Sequence, residues 1–296
     1  MVDEIKIGEA ALIEECLKRW NPDEKVADKL RETYLNWCSQ MSYEIIEIIN
    51  ELLRNFDYYS HIAVNGYLKN LHKRLMNDYA LDLDYTAFVI LPNQRGTINS
   101  SVSYILEYQN INGISKNNII LDFRDIIPDL ENIKTIVCID DFCGSGKTFL
   151  DFIIEYLEYL SEKNIYYVVI HTMQDAKKRI DSFSKEKGID INIISINISN
   201  KAFSISGDLR NRKEVFIRES KTIGIKQKYV LGYNESEALV SFYNDTPNNT
   251  LGVFWMETPM HTPLLPRKND KRPKWQTMNK NRKTRNESNY LKKVDK

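Results

Sequence analysis

Long apolar runs are missing from this sequence. None approaches the roughly 18 residues that a membrane-spanning helix needs, and the opening Met1-Val2-Asp3-Glu4-Ile5-Lys6 carries no apolar leader. Cysteine is scarce. Cys16, Cys38, Cys138 and Cys143 are scattered without metal-ligand spacing, so neither a disulfide framework nor a zinc site is expected. The four histidines, His61, His72, His171 and His261, show no triad or ligand spacing either. These absences exclude the membrane, disulfide-scaffold and metal-cluster classes and predict a cytoplasmic protein in a reducing compartment. The chain has 296 residues, 42% of them hydrophobic, which is enough to bury a full core.

Net charge is also absent, with 41 basic residues against 41 acidic ones, but the balance is uneven along the chain. From Arg267 to Lys296 there are twelve Lys or Arg and three Asp or Glu, a local +9, which leaves −9 on the rest. This tail, 267–296, reads as a flexible end. Three uses are open: a solubilising segment, a nucleic-acid contact through phosphate neutralisation, or a contact with an acidic protein partner. Trp275 and Tyr290 offer the tail's only stacking groups.

Residues 1–83 read as a helical N-terminal region. Asn21-Pro22-Asp23-Glu24 is a helix start in which Asn21 caps, Pro22 suits the first turn and Glu24 takes the capping-box position. Ser42 to Phe56 follows with Ile45, Ile46, Ile48, Ile49, Leu52 and Leu53 at helical spacing, and a third helix is expected from Asn65 to Tyr79. From residue 84 to 198 the pattern changes. Short apolar runs at Tyr85–Leu91, Ile119–Leu121, Ile136–Ile139, Ile165–Ile170 and Ile191–Ile196 alternate with helix-like stretches at Ser100–Tyr108, Thr148–Ser161 and Gln174–Lys187. Continuous apolar strands between helices predict an α/β core with a mostly parallel central sheet covered on both faces. Residues 199–266 are expected to form a small C-terminal subdomain, in which Ala238–Tyr243 and Thr250–Trp255 read as a hairpin or short excursion.

One loop carries the chemistry. The run from Thr135 leads into Asp140-Asp141-Phe142-Cys143-Gly144-Ser145-Gly146-Lys147-Thr148, with a helix expected from Thr148. Strand, glycine-bearing turn and helix N-terminus make a phosphate cradle, because the first helical N–H groups are unpaired and the helix dipole is positive there. Cys143 inside it is either a reactive thiol or a small loop filler. The end of the run, Gly146-Lys147-Thr148, also fits a P-loop NTPase, but Asp141 stands where that motif has its first glycine, and a carboxylate there would face the phosphates.

The acidic pair is accounted for by another pattern. Ile136 to Thr148 resembles the signature of the type I phosphoribosyltransferases: four apolar strand residues, two acidic residues, two more residues, then a T-G-x-T-like turn, here with Ser145 for the first threonine. The resemblance implies that Asp140 and Asp141 bind the ribose hydroxyls of 5-phosphoribosyl 1-diphosphate. Gly144, Ser145, Gly146, Lys147 and Thr148 would then hold its 5′-phosphate. It also implies that Arg95 and Gly96, in the loop after the first core strand, contact the diphosphate, that Mg²⁺ is required, and that Phe123 to Lys134, with Arg124, stands for the mobile catalytic loop. Purine-salvage members carry an acidic residue at the place of Gly144, so salvage of hypoxanthine or guanine is not expected. The flanks, through Trp20-Asn21-Pro22-Asp23, Phe56-Asp57-Tyr58-Tyr59-Ser60 and Asn244 to Trp255, resemble a phosphoribosyltransferase-like family of bacterial conflict and anti-phage operons. That implies an effector or accessory role in defence beside operon-encoded partners. A non-catalytic sensor or scaffold built on the same pocket stays open as the alternative.

Overall fold

Helical spacing and capping organise the first quarter of the computed structural model, which describes residues 2–92 and 99–268. Four helices, α1 (Val2–Trp20), α2 (Glu24–Cys38), α3 (Tyr43–Arg54) and α4 (His61–Asp78), are interrupted by a short strand, β1 (Asp57–Tyr59). The cap of α2 is Asp23, whose carboxylate accepts from Val26 N at 3.0 Å. Asn21, expected as the cap, has φ 46° and instead turns the chain ahead of Pro22. In α3 the buried face is Ile45, Ile48, Ile49, Leu52 and Leu53, a stripe at i, i+3, i+4, i+7 and i+8.

The α/β segment then alternates as expected. It runs β2 (Thr86–Val89), α5 (Ser100–Asn112), β3 (Ile119–Ile120), a 3₁₀ stretch (Phe123–Asn132), β4 (Thr135–Cys143), α6 (Lys147–Glu155), α7 (Leu157–Leu160), β5 (Asn164–Met173), α8 (Gln174–Lys187) and β6 (Ile191–Ser199). The five strands form one parallel sheet in the order β3-β2-β4-β5-β6. Its centre is fully buried: Ile136, Val137, Cys138 and Ile139 of β4 and Val168, Val169 and Ile170 of β5 have no exposed surface. Continuous apolar strands are what a sheet covered on both faces demands.

The remaining chain makes α9 (Gly207–Thr222), α10 (Gln227–Val230) and β7 (Val240–Phe242). No hairpin forms with the 250–255 run. Strand β7 pairs in parallel with β1, Asp57 opposite Val240 and Tyr59 opposite Phe242, while Gly252–Phe254 is a 3₁₀ turn. A second hydrophobic core results, in which α1–α3 pack with α9 and with residues 251–265. Phe254 lies 4.7 Å from Phe56 and 5.5 Å from Trp37, centroid to centroid, and the Trp37 indole N–H donates to Val253 O at 3.2 Å. The two ends of this segment are thus one hydrophobic unit. All four cysteines are buried and free, and among the described residues no helix is long and apolar enough to cross a membrane.

The chain divides into two compact units, Met1–Pro266 and Arg267–Lys296. All the elements above belong to the first. The basic tail, with its expected nucleic-acid or protein contact, falls in the second, and residues 269–296 lie outside the described residues.

Candidate functional site

In the order β3-β2-β4-β5-β6 the chain moves outward from β2 in one direction and then, from β4, in the other. The crossovers diverge between β2 and β4. A crevice therefore opens at the carboxyl ends of these two strands, the place where open α/β sheets bind ligands. The loop with Asp140 and Asp141 leaves β4 at that point, and the 92–99 connection leaves β2 opposite it.

Strand β4 is longer than the apolar run suggests. It continues through both aspartates to Cys143, with Asp140 opposite Val169, Phe142 opposite His171 and Cys143 opposite Thr172. Hydrogen bonding to β5 holds the acidic pair on rigid backbone. Both side chains are buried, at 8% and 9% exposure. Asp140 Oδ1 accepts from Ser100 Oγ at 2.7 Å and from Asp141 N at 3.0 Å, and Asp141 Oδ1 accepts from Phe142 N at 2.8 Å. Burial raises the affinity of both carboxyls for a proton, and for Asp141 the neighbouring Asp140 charge adds to it. The two carboxyls also hydrogen-bond each other and share Ser100, and Tyr167 adds to Asp140, so a buried acidic pair with internal partners stands at the end of β4.

Ser100 was not legible as a site residue. It opens α5, where Asn99 caps the helix by accepting from Val102 N and donates Nδ2 to Leu91 O at 2.9 Å. Ser101 Oγ donates to Ile139 O at 2.8 Å. The start of α5 is in this way fastened to the ends of both β2 and β4. Nothing in the local pattern around Asn99-Ser100-Ser101 marks more than an ordinary helix cap.

The cradle forms where expected. Gly146 is the residue preceding α6 and has φ 71°, a left-handed conformation that favours glycine. Lys147 begins the helix, one residue earlier than predicted, and its N–H approaches Ser145 Oγ at 3.4 Å. Phe149, Leu150, Phe152 and Ile153 anchor α6, with Phe149 stacked on Tyr167 at 4.1 Å between centroids. Ser145 is half-buried, and Lys147 and Thr148 are exposed. The Lys147 ammonium does not reach over the turn: it pairs with Asp151 at 2.6 Å, one helical turn along α6.

The segment expected to be mobile is packed. The Phe123–Lys134 segment is not an open loop but largely a 3₁₀ stretch seated on buried Phe123, Ile126 and Leu130. Arg124 is engaged by Asp122, Nε to Oδ1 at 2.9 Å. Cys143 is no reactive thiol, since burial pushes its pKa up to about 12. His171 has internal partners. It is buried, with Nδ1 2.9 Å from Tyr59 Oη and Nε2 2.7 Å from Ser199 Oγ, and desolvation lowers its pKa to about 4. Arg95 and Gly96 lie outside the described residues.

The C-terminal segment completes the site. A cleft of about 720 Å³ runs along the cradle, lined on one side by Ser145, Lys147 and Thr148 and on the other by Tyr233, Asn248 and Asn249, with Pro92 and Asn99 also contributing. Asn249 packs directly on Gly144: a Cβ there would lie 2.7 Å from Asn249 Cγ and Nδ2 and from the Phe142 ring. Gly144 is thus the residue that lets the segment close on the turn. Arg179, on α8, donates to Ser145 O at 2.9 Å and ties the turn from behind.

The model of the PRTase-CE family matches residues 34–267. No curated protein matches the chain significantly. Among solved structures it is similar to the AQ2163 protein from Aquifex aeolicus, at 12% identity and TM-score 0.31, over 45% of this chain and 72% of that one. It is similar to the Helicobacter pylori xanthine-guanine-hypoxanthine phosphoribosyltransferase, at 14% identity and TM-score 0.30, over 53% and 96% of the two chains. It is also similar to a hypothetical protein from Neisseria gonorrhoeae with bound ppGpp, at 12% identity and TM-score 0.32, over 56% and 97%.

Proposed function

Because this chain belongs to the PRTase-CE family of type I phosphoribosyltransferase-like proteins, we propose that its cleft binds 5-phosphoribosyl 1-diphosphate and transfers or hydrolyses the phosphoribosyl group. The observation that carries the reading is the buried Asp140–Asp141 pair at the end of β4, beside an unencumbered helix N-terminus. The vicinal ribose hydroxyls would donate to the two carboxylates. The 5′-phosphate would sit on the N–H groups of residues 144 to 148, with Ser145 and Thr148 adding hydroxyl donors. Arg95 and Gly96 keep their expected role at the diphosphate.

Magnesium belongs to the same proposal. Among the described residues no three His, Cys, Asp or Glu side chains come together to hold a metal. The donor set fits a cation carried mainly on substrate oxygens, Asp151 and Glu155 being the carboxylates that line the cleft. When bound, it would neutralise charge on the departing diphosphate.

A second reading has its own support. The packed 3₁₀ stretch at Phe123–Asn132 and the engaged Arg124 leave the expected mobile loop without its moving part, which favours a module that senses a ribose-phosphate without turning it over. Calorimetry with 5-phosphoribosyl 1-diphosphate and Mg²⁺ tests the shared premise. Binding is expected, and Asp140→Asn/Asp141→Asn should weaken it by about 100-fold, as expected for the loss of two charge-assisted hydrogen bonds. Equal affinity in the double variant would sink both readings. Diphosphate release on incubation with cell extract separates transfer from sensing. The defence role implied by the flanking segments is part of this proposal, and protection in a plaque assay that survives Asp140→Asn/Asp141→Asn would count against the cleft's part in it.

A further inference from the structure

Gly144 leaves the turn without a side chain where a proton-handling group would stand, and the space is filled from a residue more than a hundred positions away. The Asn249 carboxamide is held in a determined orientation. Its Nδ2 approaches Ser236 Oγ at 3.1 Å and Tyr233 O at 3.4 Å. Tyr233 O is a carbonyl and can only accept. The single Ser236 hydroxyl hydrogen faces two carbonyls, Tyr233 O and Asn249 O, both at 2.8 Å, so its oxygen is the acceptor toward Nδ2. The amide nitrogen is therefore the inward group, and the carboxamide oxygen is left as acceptor on a residue that lines the cleft.

The backbone around this contact is strained. Asn234, Glu235 and Glu237 have φ of 54°, 51° and 51°, conformations that cost energy for residues other than glycine and that collect at ligand sites. They present Tyr233, 45% exposed, to the same cleft. A flat aromatic wall beside one oriented polar atom is the make-up of a small-molecule subsite.

We propose that Asn249 is the acceptor-recognising residue of this cleft, its carboxamide oxygen taking a hydrogen bond from an N–H of a neutral heterocycle that lies against Tyr233. The proposal rests on the phosphoribosyl-donor reading above. It names the acceptor class as one that needs no proton removed at this position. In transfer, a ring-nitrogen lone pair forms the bond to the ribose C1 as the C1–O bond to diphosphate breaks. The electron pair leaves on the diphosphate, which also takes any proton the nitrogen sheds. An acceptor bearing a carboxylate at this point would set its charge against the Asn249 oxygen and is disfavoured.

Calorimetry with ribose 5-phosphate, AMP and orotidine 5′-monophosphate tests this without knowledge of the natural acceptor. AMP is expected to bind roughly tenfold more tightly than ribose 5-phosphate, the worth of one hydrogen bond with stacking. Asn249→Leu, which keeps the bulk against Gly144, should shrink that advantage to less than about threefold while leaving ribose 5-phosphate within about twofold. Orotidine 5′-monophosphate should gain nothing over ribose 5-phosphate. The proposal is overturned if AMP binds no better than ribose 5-phosphate, if its advantage survives in Asn249→Leu, or if orotidine 5′-monophosphate is the preferred ligand. Should Asn249→Leu fail to fold, Asn249→Ala gives the same comparison. Failure of both ribose 5-phosphate and 5-phosphoribosyl 1-diphosphate to bind the wild type would instead sink the donor reading.

Discussion

The two hydrophobic cores of the first unit are built by different rules. The core around the sheet is drawn mainly from consecutive elements, β2 to β6 with α4 to α8, joined by Tyr59 of β1 and by Ala238, Val240 and Phe242 at β7. The other joins α1–α3 to residues some two hundred positions away, through contacts such as Trp37 to Phe254. One carries the strand-loop-helix unit from Asp140 to Thr148, of which Ser145, Lys147 and Thr148 line the cleft. The other anchors the chain that brings Tyr233, Asn248 and Asn249 to face it. The lesson is that the strand-loop-helix unit is set by neighbouring sequence, whereas the wall facing it depends on packing between segments far apart in the chain.

The sharpest way to break this division is Phe254→Ala. Phe254 is fully buried between Phe56 and Trp37, and its truncation is expected to cost about 3–5 kcal/mol in a urea titration. It should also weaken AMP binding more than Leu68→Ala, a truncation in the sheet core on α4. Equal effects on AMP would show that the second core is a mere support.

The seam between the cores sharpens the comparison through pH. Tyr59 and Asp57 of β1 meet His171 of β5, with Asp57 Oδ2 3.6 Å from His171 Nδ1. Burial lowers the His171 pKa from 6.5 to about 4. In this window the unfolded chain binds a proton that the folded one refuses, so this histidine's contribution is intact above pH 6.5 and is lost as pH falls toward 4. The loss amounts to about 3 kcal/mol. Asp57, Asp140 and Asp141 act with the opposite sign, because burial raises their proton affinity in the fold. Subtracting the stability-against-pH curve of His171→Asn from that of the wild type isolates the histidine, and a flat difference between pH 4 and 6.5 would refute its assignment as a buried neutral group.

The smallest effect is local to the second core. Asp23→Ala should cost about 1 kcal/mol through loss of the α2 cap. Asn21→Gly should cost almost nothing, because Asn21 already has a positive φ. A reversal of that order in thermal melts would restore Asn21 as the cap.

Much of this was open to reading in advance, and the failures are informative. Apolar runs placed all five sheet strands because a doubly covered sheet needs unbroken hydrophobic segments. The run at Ile136 nevertheless hid the last four residues of β4, since buried aspartates do not look like strand. The helix at Gly207–Thr222 went unread: of its side chains only Leu209, Phe216 and Ser220 are buried, too few to set a periodic stripe. The 250–255 run reads as a strand by composition, yet tertiary packing takes Val253 and Phe254 into the second core and gives β7 to β1. For the site, Asp140, Asp141 and the turn at 144–148 were legible, because a phosphate cradle needs glycines and a helix start that adjoin in sequence. Ser100, Arg179, Tyr233 and Asn249 were not.

By itself, then, the amino-acid order determined the parallel α/β core, the helical start and the glycine-bearing turn that leads from β4 into α6, all of which depend on residues within a few turns of one another. Tertiary structure alone decided that His171 is a buried strut and that Asn249 closes over Gly144. Each of those depends on which distant surface a side chain meets, and distance in space leaves no period or spacing in the chain to read.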